Sequence, residues 1–164
     1  MEILPILQVK PACYKNFNCG VGELNSYLKR FAKKNDKLNV GRTYLLLDNE
    51  TVVGFYTVSV GNIEFQSLPQ EISATLPKYP LPVFRICRLA IDQQFQEKGL
   101  GEYILMEAFL NALSVASKVA LFAVVVDAKD ETTKNFYQHY GFISYQDMDL
   151  SLFISLDSLK ELLA

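Results

Sequence analysis

Gln96, Gly99 and Gly101 form the pattern Gln-x-x-Gly-x-Gly, the feature of this chain best suited to chemistry. A strand predicted over residues 83–91 leads into the pattern, and a helix predicted over residues 99–117 follows at once. The first amide groups of a helix have no carbonyl partner within the helix, and glycine allows an anion to approach them closely. The pattern therefore predicts a phosphate-binding turn. The alternative is that the two glycines only shape the connection between strand and helix.

Two other phosphate-binding motifs do not fit this chain. A Walker A loop requires Gly-x4-Gly-Lys-Ser/Thr, which the sequence does not contain. A Rossmann fingerprint requires three spaced glycines within a βαβ unit, whereas this turn has two glycines and follows strands predicted to pair antiparallel. The remaining interpretation is a pyrophosphate loop for coenzyme A.

A second motif makes that interpretation more specific. Residues 135–142 read NFYQHYGF and end a predicted helix, about forty residues after the glycine pattern. The two motifs together resemble those of the GNAT acyltransferase family, which pairs a Gln/Arg-x-x-Gly-x-Gly/Ala loop with a Phe-Tyr-x-x-x-Gly-Phe helix end. The resemblance covers nearly the whole chain. It implies that acetyl-CoA is the donor, with its pantetheine arm in a cleft between the strands that end near Ile91 and Asp127.

Three shorter stretches of sequence point to a particular group within this family. Residues 40–44, 53–57 and 88–92 (VGRTY, VGFYT and RLAID) are similar to the GNAT toxins of bacterial type II toxin–antitoxin modules. Those enzymes acetylate the α-amine of an amino acid that is already attached to tRNA. The resemblance therefore implies aminoacyl-tRNA as the substrate, a block of translation as the result, and a DNA-binding antitoxin as a partner.

The resemblance also implies roles for individual residues. Tyr137 matches the general acid that protonates the departing thiolate; the alternative is a core tyrosine with a satisfied hydroxyl. His139 lies two positions away and is expected to face solvent. A backbone N–H of the strand before the turn would stabilise the oxyanion. The residues that would bind the cofactor are Leu89, Ala90, Ile91, Gln96, Glu97, Lys98, Gly99, Leu100, Gly101 and Glu102.

The strand before the glycine pattern lacks a general base. Many GNAT enzymes carry a glutamate there, but residues 83–90 contain no carboxylate. A lysine side chain with a pKa of about 10.4 would be only ~0.1 % neutral near pH 7.5, whereas an α-amine with a pKa near 7.7 would be roughly 40 % neutral. The missing base favours an α-amine as the acceptor. A chain of water molecules acting as the base is the alternative.

Charge is unevenly distributed along the chain. Residues 1–45 carry eight Lys/Arg and three Asp/Glu (+5), and the remainder carries eight and fifteen (−7), which gives the net charge of −2. A predicted amphipathic helix over residues 23–37 has an apolar stripe made of Leu24, Tyr27, Leu28 and Phe31. Candidate nucleic-acid contacts on and around its other side are Lys29, Arg30, Lys33, Lys34, Lys37, Arg42 and Arg88. The alternative is a helix face charged only for solvation, and the pI of about 5.4 is low for an RNA-modifying enzyme.

The remaining patterns predict one α/β domain over residues 1–164. Strands are predicted over 3–9, 43–47, 52–60, 83–91, 119–126, 142–145 and 150–154, and helices over 23–37, 99–117 and 130–140. We expect a mixed, mostly antiparallel sheet flanked by helices, which is the GNAT acyl-CoA N-acyltransferase fold that the resemblance implies. Three cysteines without a CxxC pair predict reduced thiols in a cytoplasmic protein. A single histidine predicts that the chain has no metal site. The chain has no apolar run near 18 residues, so no membrane span is predicted, and no signal peptide is expected.

Three functional hypotheses follow. The first is an acetyl-CoA-dependent, toxin-like N-acetyltransferase that acts on the α-amine of aminoacyl-tRNA. The second is a GNAT enzyme that acetylates a small amine or a protein N-terminus. The third is a non-catalytic acyl-CoA-binding module. A homodimer is compatible with the supply of apolar residues, and the sequence pattern does not decide it.

Overall fold

Seven strands form one sheet in the computed structural model, which describes residues 1–164. The strands are β1 (Glu2–Pro5), β2 (Arg42–Asp48), β3 (Thr51–Ile63), β4 (Leu81–Ile91), β5 (Ala123–Asp127), β6 (Ile143–Ser144) and β7 (Ser151–Ser155). Their order is β1-β2-β3-β4-β5-β7-β6, and the pairs β1–β2, β2–β3, β5–β7 and β6–β7 are antiparallel. The predicted mixed α/β class with a mostly antiparallel sheet is confirmed.

Six α-helices accompany the sheet. They are α1 (Gly22–Ser26), α2 (Ala32–Lys37), α3 (Gln70–Ser73), α4 (Leu100–Ala116), α5 (Glu131–His139) and α6 (Leu156–Leu163). None of them combines the length and the apolar character that a membrane-crossing helix needs.

The chain forms two compact units, each built from two segments. The first comprises Met1–Ser59 and Ile86–Ala108, and the second comprises Val60–Arg85 and Phe109–Ala164. The boundaries fall inside β3, β4 and α4, so these three elements contribute residues to both units.

A β-hairpin forms the centre of the first unit. Asp48 pairs with Thr51 across the turn, and Asn49 has a φ of 58°, the left-handed conformation that tight hairpin turns require. Leu45 and Phe55, opposite each other on β2 and β3, are fully buried in the core of this unit. The predicted hairpin is confirmed, with the strands extended slightly at both ends.

The basic helix of the first unit contains a π-helical turn that the sequence analysis did not predict. Residues 22–37 are helical throughout, but Tyr27–Phe31 form a π-turn between α1 and α2, in which the N–H of Ala32 donates to the carbonyl oxygen of Tyr27. The extra residue in this turn shifts the inward-facing positions by one. Ala32 and Asp36 are buried, and Phe31 is 46 % exposed. The predicted apolar stripe is therefore wrong at Phe31.

The second unit packs β5 and β7 against apolar side chains from the start of β4 and from the segment before it. Val125 pairs with Phe153 in the antiparallel register of these strands, and both are buried with Leu68 and Val83. At the end of α5, Gly141 has a φ of 99°, the left-handed conformation that glycine commonly adopts where a helix ends.

Several predicted elements differ at their ends. The predicted first strand, 3–9, ends at Pro5 and continues as a 3-10 turn over Ile6–Gln8. The predicted strand over 119–126 begins only at Ala123, because its partner β7 ends at the paired Ser155. Residues 66–82, to which the sequence analysis assigned no helix or strand, contain the short helix α3. The sequence analysis missed α6, whose N-terminus is capped by the Ser155 hydroxyl.

Replacing Gly54 with alanine is expected to destabilise the protein. The new Cβ would lie 2.7 Å from Cδ1 of Ile91 and 3.1 Å from the carbonyl oxygen of Ala90. Overpacking of this kind costs about 1–3 kcal/mol, and each kcal/mol lowers Tm by roughly 2–4 °C in a chain of this size. Thermal unfolding measures the effect. Gly22→Ala is the control, because a Cβ at Gly22 meets nothing within 4 Å; equal Tm values for the two variants would contradict the prediction.

Candidate active site

The turn between β4 and α4, in the first unit, has a strained backbone. Glu97 has a φ of 63° and Gly99 a φ of 79°, both in the left-handed region. The first hydrogen bond of α4 runs from the N–H of Tyr103 to the carbonyl oxygen of Gly99 (3.1 Å), so the amides of residues 100–102 have no partner within the helix. A Cβ on Gly99 would meet nothing within 4 Å. An anion therefore has open access to this helix start.

Two side chains fix this turn to its surroundings. Gln96 Nε2 donates to the carbonyl oxygens of Ile91 (2.9 Å) and Cys19 (3.2 Å). The carboxylate of Asp92 accepts a hydrogen bond from the backbone N–H of Asn18 (3.0 Å). These contacts within the protein hold the turn, and with it the start of α4, in place.

The charged side chains of the turn do not account for an attraction to anions. Lys98 is exposed, with its Nζ 5.3 Å from the centroid of the Phe95 ring. Glu97 and Glu102 are also exposed and place two carboxylates on the same turn. These three side chains sum to one negative charge, so the partial positive charge of the helix N-terminus is the feature that favours an anion here.

The end of β4 leads directly into the turn. Ala90 and Ile91 are buried and Leu89 is half-buried. The N–H of Asp92, just beyond the strand, donates to the carbonyl oxygen of Val53 (2.9 Å), which fixes the end of β4 to β3. No side chain along β4 is a carboxylate, so this strand offers a thioester main-chain groups and apolar contacts but no general base.

Tyr137 lies in the second unit, near the end of α5. Its ring is packed against Phe136 and Phe142, with ring centroids 5.2 and 5.3 Å apart, and the residue is only 4 % exposed. Burial raises the pKa of the Tyr137 hydroxyl above its usual 10.0, so the group stays protonated near neutral pH. Every fully buried side-chain nitrogen or oxygen has a hydrogen-bond partner, so Tyr137 is not a stranded polar group. The structure places His139 at the surface, as predicted, with its ring against Tyr140.

The basic side chains of the first unit mostly face solvent. Lys29, Arg30, Lys34 and Lys37 are exposed and Lys33 is half-buried. The acidic residues of this helical segment are Glu23, which is exposed, and Asp36, which is buried. The segment therefore presents a surface of predominantly positive charge, the kind that attracts a phosphate backbone.

Arg42 already has partners within the protein. Its guanidinium donates to the Asp36 carboxylate (2.9 Å), to the Asp36 carbonyl oxygen (2.7 Å) and to the Asn39 side chain (2.7 Å). The same buried carboxylate accepts from the N–H of Thr43 (3.1 Å). Arg42 thus links α2 to β2, and only the exposed part of its side chain is available to a phosphate.

Arg88 and Tyr27 line a cavity beside the basic helix. The guanidinium carbon of Arg88 lies 3.6 Å from the centroid of the Tyr27 ring, which is a close cation–π contact. The cavity has a volume of about 410 Å³ and is lined by Gly22, Glu23, Ser26, Tyr27, Phe31 and Arg88. Sequence reasoning singled out Arg88 and placed both aromatic residues on the apolar stripe, which is right for the buried Tyr27 and wrong for Phe31. Periodicity alone gave no signal for the π-turn that exposes Phe31.

Comparison with known proteins agrees with this architecture. The acetyltransferase (GNAT) domain family matches residues 39–144. A tRNA-acetylating toxin of Mycobacterium tuberculosis is 30% identical over 127 residues, which cover 77% of this chain and 76% of that protein. A probable toxin TacT of Sinorhizobium fredii is 25% identical over 157 residues, which cover 90% and 87%. The solved structure of AtaT complexed with acetyl-methionyl-tRNAfMet matches with a TM-score of 0.92 at 25% identity and 99% coverage of both chains.

The burial of Tyr137 predicts a specific pH dependence of stability. Because its pKa is raised above 10.0 in the folded protein, the unfolded chain loses this proton first as pH rises. Between about pH 10 and 11 the folded state then binds more protons, so the free energy of unfolding falls, by up to about 1.4 kcal/mol per pH unit for this group. Urea unfolding should show a steeper loss for the wild type than for Tyr137→Phe.

The control for this measurement is Tyr103→Phe. Tyr103 is 42% exposed, so this variant reports what the loss of a hydroxyl at the surface does to the pH dependence. Equal slopes for the wild type and Tyr137→Phe would show that the hydroxyl of Tyr137 ionises as readily in the folded protein as in the unfolded chain.

Proposed function

The chain belongs to the GNAT acetyltransferase family, and we propose that it transfers the acetyl group of acetyl-CoA to the α-amine of an amino acid attached to tRNA. The observation that carries the proposal is the fixed turn with free amides at the start of α4, in a chain that is 30% identical to a tRNA-acetylating toxin. The similarity to AtaT in its complex with acetyl-methionyl-tRNAfMet supports the same class of substrate.

Main-chain groups of the first unit bind the donor. The amides of residues 100–102 and the open face of Gly99 hold the diphosphate, and the side chain of Gln96 keeps the turn in its shape. Backbone groups of Leu89–Ile91 hold the pantetheine arm, and one of their N–H groups stabilises the negative charge that develops on the thioester oxygen. Acetyl-CoA supplies an acetyl group already activated as a thioester.

Tyr137 acts as the general acid. A hydroxyl whose pKa is raised by burial remains protonated at neutral pH, so it can donate its proton to the departing thiolate sulfur. The amine nitrogen bonds to the carbonyl carbon, and the carbon–sulfur bond then breaks. The proton that the new amide nitrogen loses passes to water, from which Tyr137 is reprotonated. An α-amine with a pKa near 7.7 is roughly 40 % neutral near pH 7.5, which is why β4 can lack a carboxylate and still serve this acceptor.

The basic helical segment binds the phosphates of tRNA. Lys29, Arg30, Lys34 and Lys37 are exposed, and Lys33, Arg42 and Arg88 add charge at its borders. Arg42 contributes less than the others, because Asp36 and Asn39 occupy much of its guanidinium. Binding through phosphates is independent of sequence, so the selection of one aminoacyl-tRNA rests on other contacts.

The cellular role that we propose is that of a toxin. Acetylated aminoacyl-tRNA has no free α-amine for peptide-bond formation, so its accumulation blocks translation. Both curated relatives are named as toxins or probable toxins. A toxin that acts on tRNA works in the cytoplasm and needs a partner that restrains it. We assign that role to a DNA-binding antitoxin, and we retain the homodimer as the proposed assembly.

The substrate is tested with charged tRNA and labelled acetyl-CoA. The double variant Lys29→Glu/Lys34→Glu should lose at least tenfold of its activity on aminoacyl-tRNA and should show a shallower salt dependence, since each lost phosphate contact removes about 0.7–0.9 from the slope of log K against log salt. Lys118→Glu/Lys129→Glu is the matched control, because it changes the charge equally at exposed lysines outside the basic segment. Acetylation of small amines without label on any charged tRNA would refute the proposed substrate.

Two further variants test the donor site and the general acid separately. Gly99→Ala should raise the Kd for acetyl-CoA at least tenfold, because a Cβ would enter the space over the free amides. Tyr137→Phe should lower kcat by about 10²–10⁴ with little change in that Kd. Calorimetric titration and steady-state kinetics measure the two effects. Gly141→Ala is the control for backbone strain, since Gly141 also has a positive φ, and it should leave the Kd unchanged.

A further inference from the structure

Phe31 is exposed for a structural reason. The π-turn over Tyr27–Phe31 moves Phe31 out of the core and puts Ala32 in its place. An aromatic ring that is 46 % exposed loses the free energy of burial unless a partner covers it. The guanidinium of Arg30 lies 5.7 Å from the centroid of this ring.

The cavity next to Phe31 has a mixed composition. Its lining combines two aromatic rings, Tyr27 and Phe31, with the guanidinium of Arg88 and the polar side chains of Glu23 and Ser26. An aliphatic side chain would favour a pocket closed by apolar groups. A nucleobase instead presents a flat π-face for stacking and polar edges for hydrogen bonds, and its phosphate pairs with arginine. The lining therefore fits an unpaired nucleotide.

The cavity lies beside the strand that we propose to hold the thioester. Arg88 on β4 is followed directly by Leu89, and successive residues of a strand rise by about 3.3 Å. In a charged tRNA the amino acid is esterified to the terminal nucleotide, so the base of that nucleotide must bind within a short distance of the reacting amine. All of these residues belong to the first unit.

We infer that Phe31 is the stacking platform for the unpaired 3′-terminal nucleobase of the tRNA, with Arg88 paired to the adjoining phosphate. The inference rests on the proposed function, because it names the place of the tRNA end within that reaction. On this inference, the π-turn moves an aromatic residue out of the core so that its ring can contact RNA.

Substitutions at Phe31 test stacking against simple apolar contact. Phe31→Ala and Phe31→Leu should both lower kcat/KM for aminoacyl-tRNA by roughly 5- to 150-fold, the range that loss of one stacked base gives. Phe31→Tyr keeps the ring and should stay within about twofold of the wild type. Leu38→Ala is the matched control, because Leu38 is another exposed apolar residue at the end of the same segment. Thermal unfolding should show little change in any of these variants.

A binding measurement keeps the test independent of turnover. An RNA hairpin with the tRNA acceptor sequence and 2-aminopurine as its 3′-terminal base should lose fluorescence on binding the wild type and Phe31→Tyr, and should lose none with Phe31→Leu. Full activity of Phe31→Leu, or equal quenching by that variant, would overturn the inference. A wild type that acetylates no charged tRNA would instead refute the proposed function, and the fluorescence titration would still report on Phe31.

Discussion

The tie between the Gln96 side chain and two main-chain carbonyl groups is the contact on which the candidate donor site depends. The turn that follows contains a left-handed non-glycine residue, Glu97, and this conformation costs roughly 1–2 kcal/mol. The hydrogen bonds from Gln96 to Ile91 and Cys19 contribute about 0.5–1.5 kcal/mol each, which is the size needed to offset that cost. Without them the turn would relax, and the approach to the free amides at the start of α4 would change shape. A side chain that faces the protein thereby shapes a site for an anion.

A second constraint couples the π-turn to the buried carboxylate of Asp36. The same shift by one residue that exposes Phe31 brings Asp36 into the interior, where it is 3% exposed. A buried carboxylate is tolerated only when it is paired and hydrogen-bonded, and here Arg42 and the N–H of Thr43 satisfy it. Arg42 therefore stabilises the fold, and only the exposed part of its side chain is available to RNA. The exposed ring, the buried acid and the paired arginine are consequences of one irregular turn.

Regular patterns in the sequence were sufficient for the long elements and for the motifs. The helix predicted over 99–117 is α4, which begins and ends one residue inside that range, because an apolar run of this length has few alternatives. Tertiary contacts determine the features that these patterns did not predict. Helical periodicity placed Phe31 in the core, since a π-turn leaves no local signal that periodicity can detect. β5 starts late because its pairing partner ends at Ser155. α6 was missed although its leucines recur at helical spacing after a capping serine, a signal that the sequence does contain. Within the candidate site, the glycine pattern singled out Gly99 and the resemblance to the GNAT family singled out Tyr137, but the partners of Gln96 lie up to 77 residues away and follow only from the fold.

The acidic pI does not conflict with a polyanionic substrate, because screening makes binding a local matter. At physiological salt the Debye length is about 8 Å, so charges elsewhere on the chain contribute little to the potential at the basic helix. Among its carboxylates Asp36 is buried and neutralised by Arg42, which leaves Glu23 as the one exposed acid among several exposed cations. Electrostatic attraction would then bring a phosphate backbone to this surface without determining which part of an RNA binds there. The selectivity for an RNA end must come from contacts that need an unpaired base, and the exposed aromatic ring beside Arg88 is a feature of the first unit that can provide one.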